Sequence, residues 1–199
     1  MFREGNWIFS EGESGESTIL APCLPKVIIE RLNPEVITPT YASEGDSGLD
    51  VYAVEDTIIQ PEETVLMRLG FKLGVPKHPL HDFGYRWEVQ VRPRSGISAR
   101  TSLNVKLGSV DNFYRGEVGV IMHNTNTRTA KLRYPLDLNN EHDNMVEPTR
   151  RFPEGTYIIR KGDRFAQLVF NEVIRPLELV EGKVEDTDRG AKGFGSSGI

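Results

Sequence analysis

The chain has 199 residues, 38% of them hydrophobic and 27% charged, with a formal net charge of −5. No apolar run approaches the ~20 residues that span a bilayer as a helix, which speaks against a membrane partner. The negative balance speaks against stable binding to nucleic-acid polymers, which rests on phosphate neutralisation, and leaves room for one small anion in a locally basic pocket. Residues 1–25, rich in Gly, Glu and Ser, read as an N-terminal extension outside the core, with Trp7, Ile8 and Phe9 as apolar anchors. They hold no continuous apolar stretch of the kind that makes a secretory signal. The lone Cys23 allows no internal disulfide and fits a reducing, cytoplasmic setting.

Residues 26–174 alternate short β-type runs with Pro and Gly punctuation: 27–32, 49–54, 64–75, 85–91, 103–110, 117–122, 156–159 and 165–173. Many short strands, regular turns and no long 3.6-residue period predict an all-β barrel or sandwich. A helix of one or two turns is expected after Arg94-Ser95-Gly96. Residues 125–154 break the rhythm: they are polar, charge-rich and long for a loop, and such loops are functional or disordered. Residues 175–199 read as an acidic connector and a glycine-rich tail, Arg189-Gly190-Ala191-Lys192-Gly193-Phe194-Gly195-Ser196-Ser197-Gly198. This tail cannot build a core. It reads either as a disordered terminus or as a flap over a phosphate chain, with Arg and Ser for phosphate and Phe for a base.

Four internal clusters carry chemistry. Gly45-Asp46-Ser47-Gly48-Leu49-Asp50 runs from a turn into a strand, and Asp50 there offers a carboxylate for a metal-bound water or serves as a plain strand-start Asp. Arg92-Pro93-Arg94-Ser95-Gly96 makes a compact anion site or a basic turn. Gly108-Ser109-Val110-Asp111-Asn112-Phe113-Tyr114-Arg115-Gly116 reads as a hairpin bend, whose free backbone groups can read a base edge. Lys161-Gly162-Asp163-Arg164-Phe165-Ala166-Gln167-Leu168 is a turn into an apolar strand, with Gln167 its polar exception.

With the tail, these clusters resemble the five motifs of the trimeric dUTPase family, present in order over residues 26–199. The resemblance implies a β-jelly-roll subunit and a homotrimer. It places active sites at subunit interfaces, each receiving the tail of a neighbouring chain. The implied reaction is Mg²⁺-assisted hydrolysis of dUTP to dUMP and pyrophosphate, which keeps uracil out of DNA and supplies dUMP. Asp111 matches the carboxylate that activates the attacking water. Tyr114 matches the ring that packs against deoxyribose, and Ser109, Val110 and Gly119 match the backbone that pairs with uracil. Arg94, Ser95, Gly96 and Gln167 match phosphate contacts, and Asp50 the carboxylate that holds Mg²⁺ through water. Arg189 would meet the terminal phosphate and Phe194 would stack on uracil, while Gly195, Ser196 and Ser197 would close over the nucleotide. Lys192 departs from a usual glycine, and the 125–154 segment exceeds the usual connection, as in bacteriophage members where such a segment binds a repressor protein.

Two other readings compete with dUTP diphosphatase. A dCTP deaminase shares the fold but needs a proton shuttle at the base, where this chain offers Asp111 and Tyr114 in the hydrolase pattern. A regulatory protein would use the nucleotide site as a switch and segment 125–154 as its docking surface, unless that segment is simply a tolerated surface insertion.

Overall fold

The computed structural model describes residues 26–143, 150–176, 178–187 and 190–191, and the backbone of three N-terminal strands. Those strands, β1 (Phe2–Glu4), β2 (Trp7–Glu11) and β3 (Ser17–Pro22), form an antiparallel sheet in the order β1-β2-β3. The core follows as β4 (Ile28–Arg31), β5 (Leu49–Tyr52), β6 (Thr57–Ile59), β7 (Thr64–Gly74), β8 (Tyr85–Pro93), helix α1 (Ser95–Arg100), β9 (Leu103–Val105), β10 (Gly108–Asp111) and β11 (Glu117–Asn124). It is completed by β12 (Leu132–Arg133), β13 (Phe152–Pro153), β14 (Tyr157–Ile159) and β15 (Arg164–Ile174). The expected all-β jelly-roll, with one short helix after the Arg-Ser-Gly turn, is what the chain forms.

Two four-stranded antiparallel sheets, ordered β10-β8-β15-β5 and β4-β7-β11-β9, share one core. Strand β7 shows why: Met67, Leu69, Phe71 and Leu73 are buried while Arg68 and Lys72 point outward, the period-2 pattern of a half-buried strand. Val89 and Val91 of β8, Val120 and Met122 of β11, and Phe165 and Leu168 of β15 meet them. Each such aliphatic chain contributes ~1.5–3 kcal/mol on burial, enough to hold two polar-faced sheets together. A second small pairing, β14 with β6, adds Ile59, Tyr157 and Ile159 to the same core.

Two expectations need correction. Run 103–110 is not one strand: β9 joins the β11 sheet and β10 joins the β8 sheet. The chain crosses between them at Lys106 and Leu107, where Lys106 N–H still bonds Ile121 O and the Leu107 side chain lies exposed. For the same reason Asp111–Tyr114 is not the bend of a paired hairpin, because β10 ladders with β8 while β11 ladders with β7 and β9.

The long segment after β11 is partly built into the core. Strand β12 pairs with β13 as a two-stranded ribbon, and Leu136 bridges to His142 and to Tyr157. Leu136 and Leu138 pack against the main core. Asn140 adopts φ 65°, a left-handed turn that Asn tolerates, and its side chain accepts the Tyr157 hydroxyl at 3.0 Å. Asp143 takes Arg160 in a two-pronged pair, Nε to Oδ2 at 2.9 Å and Nη2 to Oδ1 at 2.8 Å. A segment that supplies core side chains and a nearly buried carboxylate is more than a surface decoration.

Candidate functional site

The first half of the site forms where β15 lies between β5 and β8. Gln167 stands opposite Asp50 on one side and Arg92 on the other, so that motifs distant in sequence become one row across three strands. Asp50 is buried and holds two cations: Arg94 Nε at 2.8 Å and Arg164 Nη1 at 3.1 Å. Arg94 Nη1 also donates to Arg164 O at 3.0 Å. Arg94 sits at the N-cap of α1, so this clamp fixes the helix start as well as the guanidinium. Gln167 donates its amide to Pro93 O at 2.9 Å. Gly48 makes room for that side chain: a Cβ there would collide with the Gln167 amide oxygen.

Gly48, Asp50, Arg92, Arg94 and Gln167 line a groove of about 560 Å³ with Ser47, Ser95 and Arg100. The groove therefore gathers Arg92, Arg94 and Arg100 beside a hydroxyl-bearing turn, a fitting arrangement for a phosphate chain. Two participants escape the sequence reading. Arg100 lies four residues beyond Gly96 on α1, one helical turn, and its guanidinium comes back over that glycine. Arg164 shares Asp50 from the start of β15. The i, i+4 spacing was a usable signal for the first; only tertiary pairing reveals the second. At the rim, the Ser43 hydroxyl and backbone N–H hold the Asp46 carboxyl below its ordinary range.

The second half is the turn from β10 to β11. Tyr114 N–H bonds Asp111 O at 2.9 Å, closing the bend. The buried Asn112 donates to Pro76 O at 2.9 Å, and Arg115 donates to Asn112 O at 2.7 Å and Val75 O at 3.3 Å. These bonds tether the bend to the chain beyond β7 and leave Asp111 and the Tyr114 ring exposed. The Tyr114 hydroxyl donates to Glu117 O at 3.2 Å, and the ring covers Gly116, where any Cβ would strike it. Strand β10 is a sheet edge. Among the described residues, β11 has β9 as a ladder partner only over Met122–Asn124, which leaves the Gly119 side open. The diverging strands thus present unpaired backbone near Ser109, Val110 and Gly119.

One chain does not bring the halves together. Asp111 lies opposite Glu88 on β8, whereas the groove row crosses β8 at Arg92. Four residues of strand separate them by ~13 Å. Asp111 borders a different hollow, of about 750 Å³, with His81, Trp87, Glu88 and Phe113. Between the halves runs a polar ladder on one face of β8: Arg92 Nε donates to Gln90 Oε1 at 2.9 Å, Gln90 Nε2 to Glu88 Oε2 at 2.8 Å, and the Ser109 hydroxyl to Glu88 Oε1. Arg189, Phe194, Gly195, Ser196 and Ser197, expected over the nucleotide, lie outside the described residues, as does Lys192.

No group of three His, Cys, Asp or Glu side chains suited to a metal ion occurs among the described residues. The groove fits a different mode. Asp50 keeps lone pairs free beside its two arginine bonds, and Mg²⁺ commonly arrives on phosphates with its waters and needs only one or two carboxylates.

Comparison with known proteins follows the same lines. The family model described as dUTPase matches residues 34–134 and 152–198, passing over the middle of the long segment. The chain is 34% identical over 177 residues to the deoxyuridine 5′-triphosphate nucleotidohydrolase of Clostridium kluyveri, covering 87% of this chain and 98% of that one. It is 30% identical over 176 residues to that of Paramecium bursaria Chlorella virus 1, covering 88% and 100%. Among solved structures, Staphylococcus bacteriophage 80alpha dUTPase with dUpNHpp matches with a TM-score of 0.75 at 28% identity, over 87% of this chain and 99% of that one. The dUTPase from phage phi11 of S. aureus, in a structure visualising its species-specific insert, matches with a TM-score of 0.69 at 25% identity over 82% and 98%.

Proposed function

We infer that this chain, which belongs to the dUTPase family and is a dUTP hydrolase, releases dUMP and pyrophosphate with Mg²⁺ at a site shared between copies of a homotrimer. The observation that carries the shared site is the separation of Asp111 from the arginine groove within one chain. A neighbouring copy supplies the missing half: its Asp111 turn meets the groove of the first. In the groove, Arg94, Arg100 and Ser95 hold the phosphates, and the Asp50 clamp keeps Arg94 aligned before substrate arrives, so that little reorganisation accompanies the reaction.

Mg²⁺ would supply charge neutralisation on the pyrophosphate, with Asp50 holding its water shell. Phage phi11 dUTPase, in one structure, coordinates a structural Mg(II) ion. From the neighbouring turn, the exposed Asp111 carboxylate accepts a proton from the attacking water. The open backbone of Ser109, Val110 and Gly119 reads the uracil edge, and the Tyr114 ring closes against deoxyribose where a 2′-hydroxyl would stand. The tail, with Arg189 and Phe194, covers the phosphates and the base and excludes water. The extension 1–25, the core 26–174 with its inserted segment 125–154, and the lid 175–199 are the units of this proposal.

A substrate panel tests it. Pyrophosphate release from dUTP, with dTTP, dCTP and UTP spared, is the expected result; ammonia from dCTP would overturn it in favour of a deaminase. Tyr114→Ala should admit UTP, and a chain ending at Asp188 should stay assembled and lose turnover. A regulatory role through segment 125–154 is favoured by one observation: a structure of the 80alpha enzyme describes phage dUTPases as controlling transfer of virulence genes. Because Leu136, Leu138 and Asp143 are built into the core, a partner would read the exposed ribbon rather than residues 134–143.

A further inference from the structure

The ribbon β12–β13 and its approaches are strongly basic in an acidic protein. Residues 124–134 carry Arg128, Lys131 and Arg133 and no acid, and residues 150–154 carry Arg150 and Arg151 against Glu154 alone. All five cations are exposed. Glu154 reaches Lys131 at 3.9 Å and Arg133 at 3.8 Å, loose contacts at the surface. The guanidinium of Arg150 lies over Phe152 and that of Arg151 over Tyr134, which stiffens the ribbon and fixes these two cations on it. Leu132, between two of the cations, is 56% exposed.

Residues 178–187 are the complement. They carry Glu178, Glu181, Glu185 and Asp186 against Lys183. Among the described residues, none of these four acids makes an ion pair. Leu179, Val180 and Val184 are 78–90% exposed, so the segment has apolar side chains and no surface to put them on. It starts beside Gly84, which accepts the Arg175 N–H, at the Asn112 end of the barrel. The ribbon begins past the other end of β11. That strand is ~27 Å long, and residues 176–187 reach ~40 Å when extended.

We propose that the acidic connector, residues 178–187, docks on the basic β12–β13 ribbon of a neighbouring copy and parks the tail next to that copy's site. The proposal rests on the assembly inferred above. Electrostatic docking makes the parked state sensitive to ionic strength, so the ribbon, whose two strands flank the stretch that the family model passes over, would set how readily the lid is delivered.

Zero-length carbodiimide coupling of the full-length protein should join Lys131 to Glu181 or Glu185. With equal parts of unlabelled and ¹⁵N-labelled chains, the linked peptides should be mixed in isotope. Trypsin should cut after Lys183 about tenfold more slowly at low salt than in 0.5 M salt, and K131E/R133E should remove that protection. Coupling of Lys131 to Glu154 alone, or only within one chain, overturns the proposal. So does duplex DNA binding that K131E/R133E abolishes without any connector link, which would make the ribbon a polyanion site. Sedimentation separates the two levels of failure: a monomer overturns the assembly, whereas a trimer without the link overturns the contact alone.

Discussion

Replacing Asp50 by Asn tests how the groove is held ready. Asp50 is 5% exposed and both its oxygens accept from guanidinium groups, Arg94 at 2.8 Å and Arg164 at 3.1 Å. An Asn at this position keeps one acceptor, turns an amide N–H₂ toward a cation and removes the compensating charge. Breaking a buried ion pair costs about 3–5 kcal/mol. The side chains of Arg94 and Arg164 are 27% and 46% exposed, and water screens what the carboxylate loses. About 2–3 kcal/mol is the discounted figure. If it appears mainly as lost alignment of Arg94 in the transition state, kcat falls about 30- to 150-fold. KM should change less than about threefold, because the groove becomes more positive while losing order. Steady-state pyrophosphate release at saturating dUTP, with circular dichroism to confirm the fold, reads this directly. A kcat within about threefold of the parent, in a folded D50N enzyme, would refute the clamp. A large rise in KM with kcat unchanged would instead make Asp50 a contributor to substrate binding only.

Other substitutions separate chemistry from architecture. Asp111→Asn should abolish turnover while leaving binding of a non-hydrolysable dUTP analogue within about threefold by calorimetry. Retained turnover would remove the general base. Asp143→Ala removes both bonds of the two-pronged pair and leaves Arg160 to Asp56 alone; it should cost about 1–2 kcal/mol and lower the melting midpoint by roughly 3–6 °C, measured by calorimetry at matched concentration. An unchanged midpoint would return the segment to mere decoration. The Lys161 backbone N–H, and then the Arg160 guanidinium, hold the Asp56 carboxyl below its ordinary value of 3.8. The folded state thus binds the Asp56 proton less readily than the unfolded chain. Its stabilisation is therefore complete above that value and fades as pH falls through the lower folded one. In acid unfolding followed by fluorescence, Asp56→Asn should be less stable than the parent near neutrality and converge with it as pH falls through the lowered folded value. Parallel curves would deny the linkage.

The strands were legible where burial follows period 2, as in β7 and β11, and the Arg-Ser-Gly turn announced α1 through its chemistry. Strand β6 was not, because Thr57-Ile58-Ile59 is too short to show alternation and gains its place only by pairing with β14. The split of residues 103–110 between two sheets was hidden too: nothing local in Lys106-Leu107 distinguishes a crossing from a continuing strand. In the site, residue types identified Asp50, Arg94 and Asp111, but not their relations. That Asp50 is clasped by Arg164 depends on β15 lying against β5, a contact across more than a hundred residues. The separation of Asp111 from the groove is likewise a property of register along β8, which no motif encodes.

That separation has a genetic consequence. A chain carrying Asp111→Asn keeps an intact groove, and a chain with a ruined groove keeps an intact Asp111 turn. In the proposed homotrimer each alone would be inert. Co-assembled, they would rebuild complete sites wherever a sound groove faces a sound turn. Two null alleles expressed together would then complement each other, while an excess of either would poison a working population.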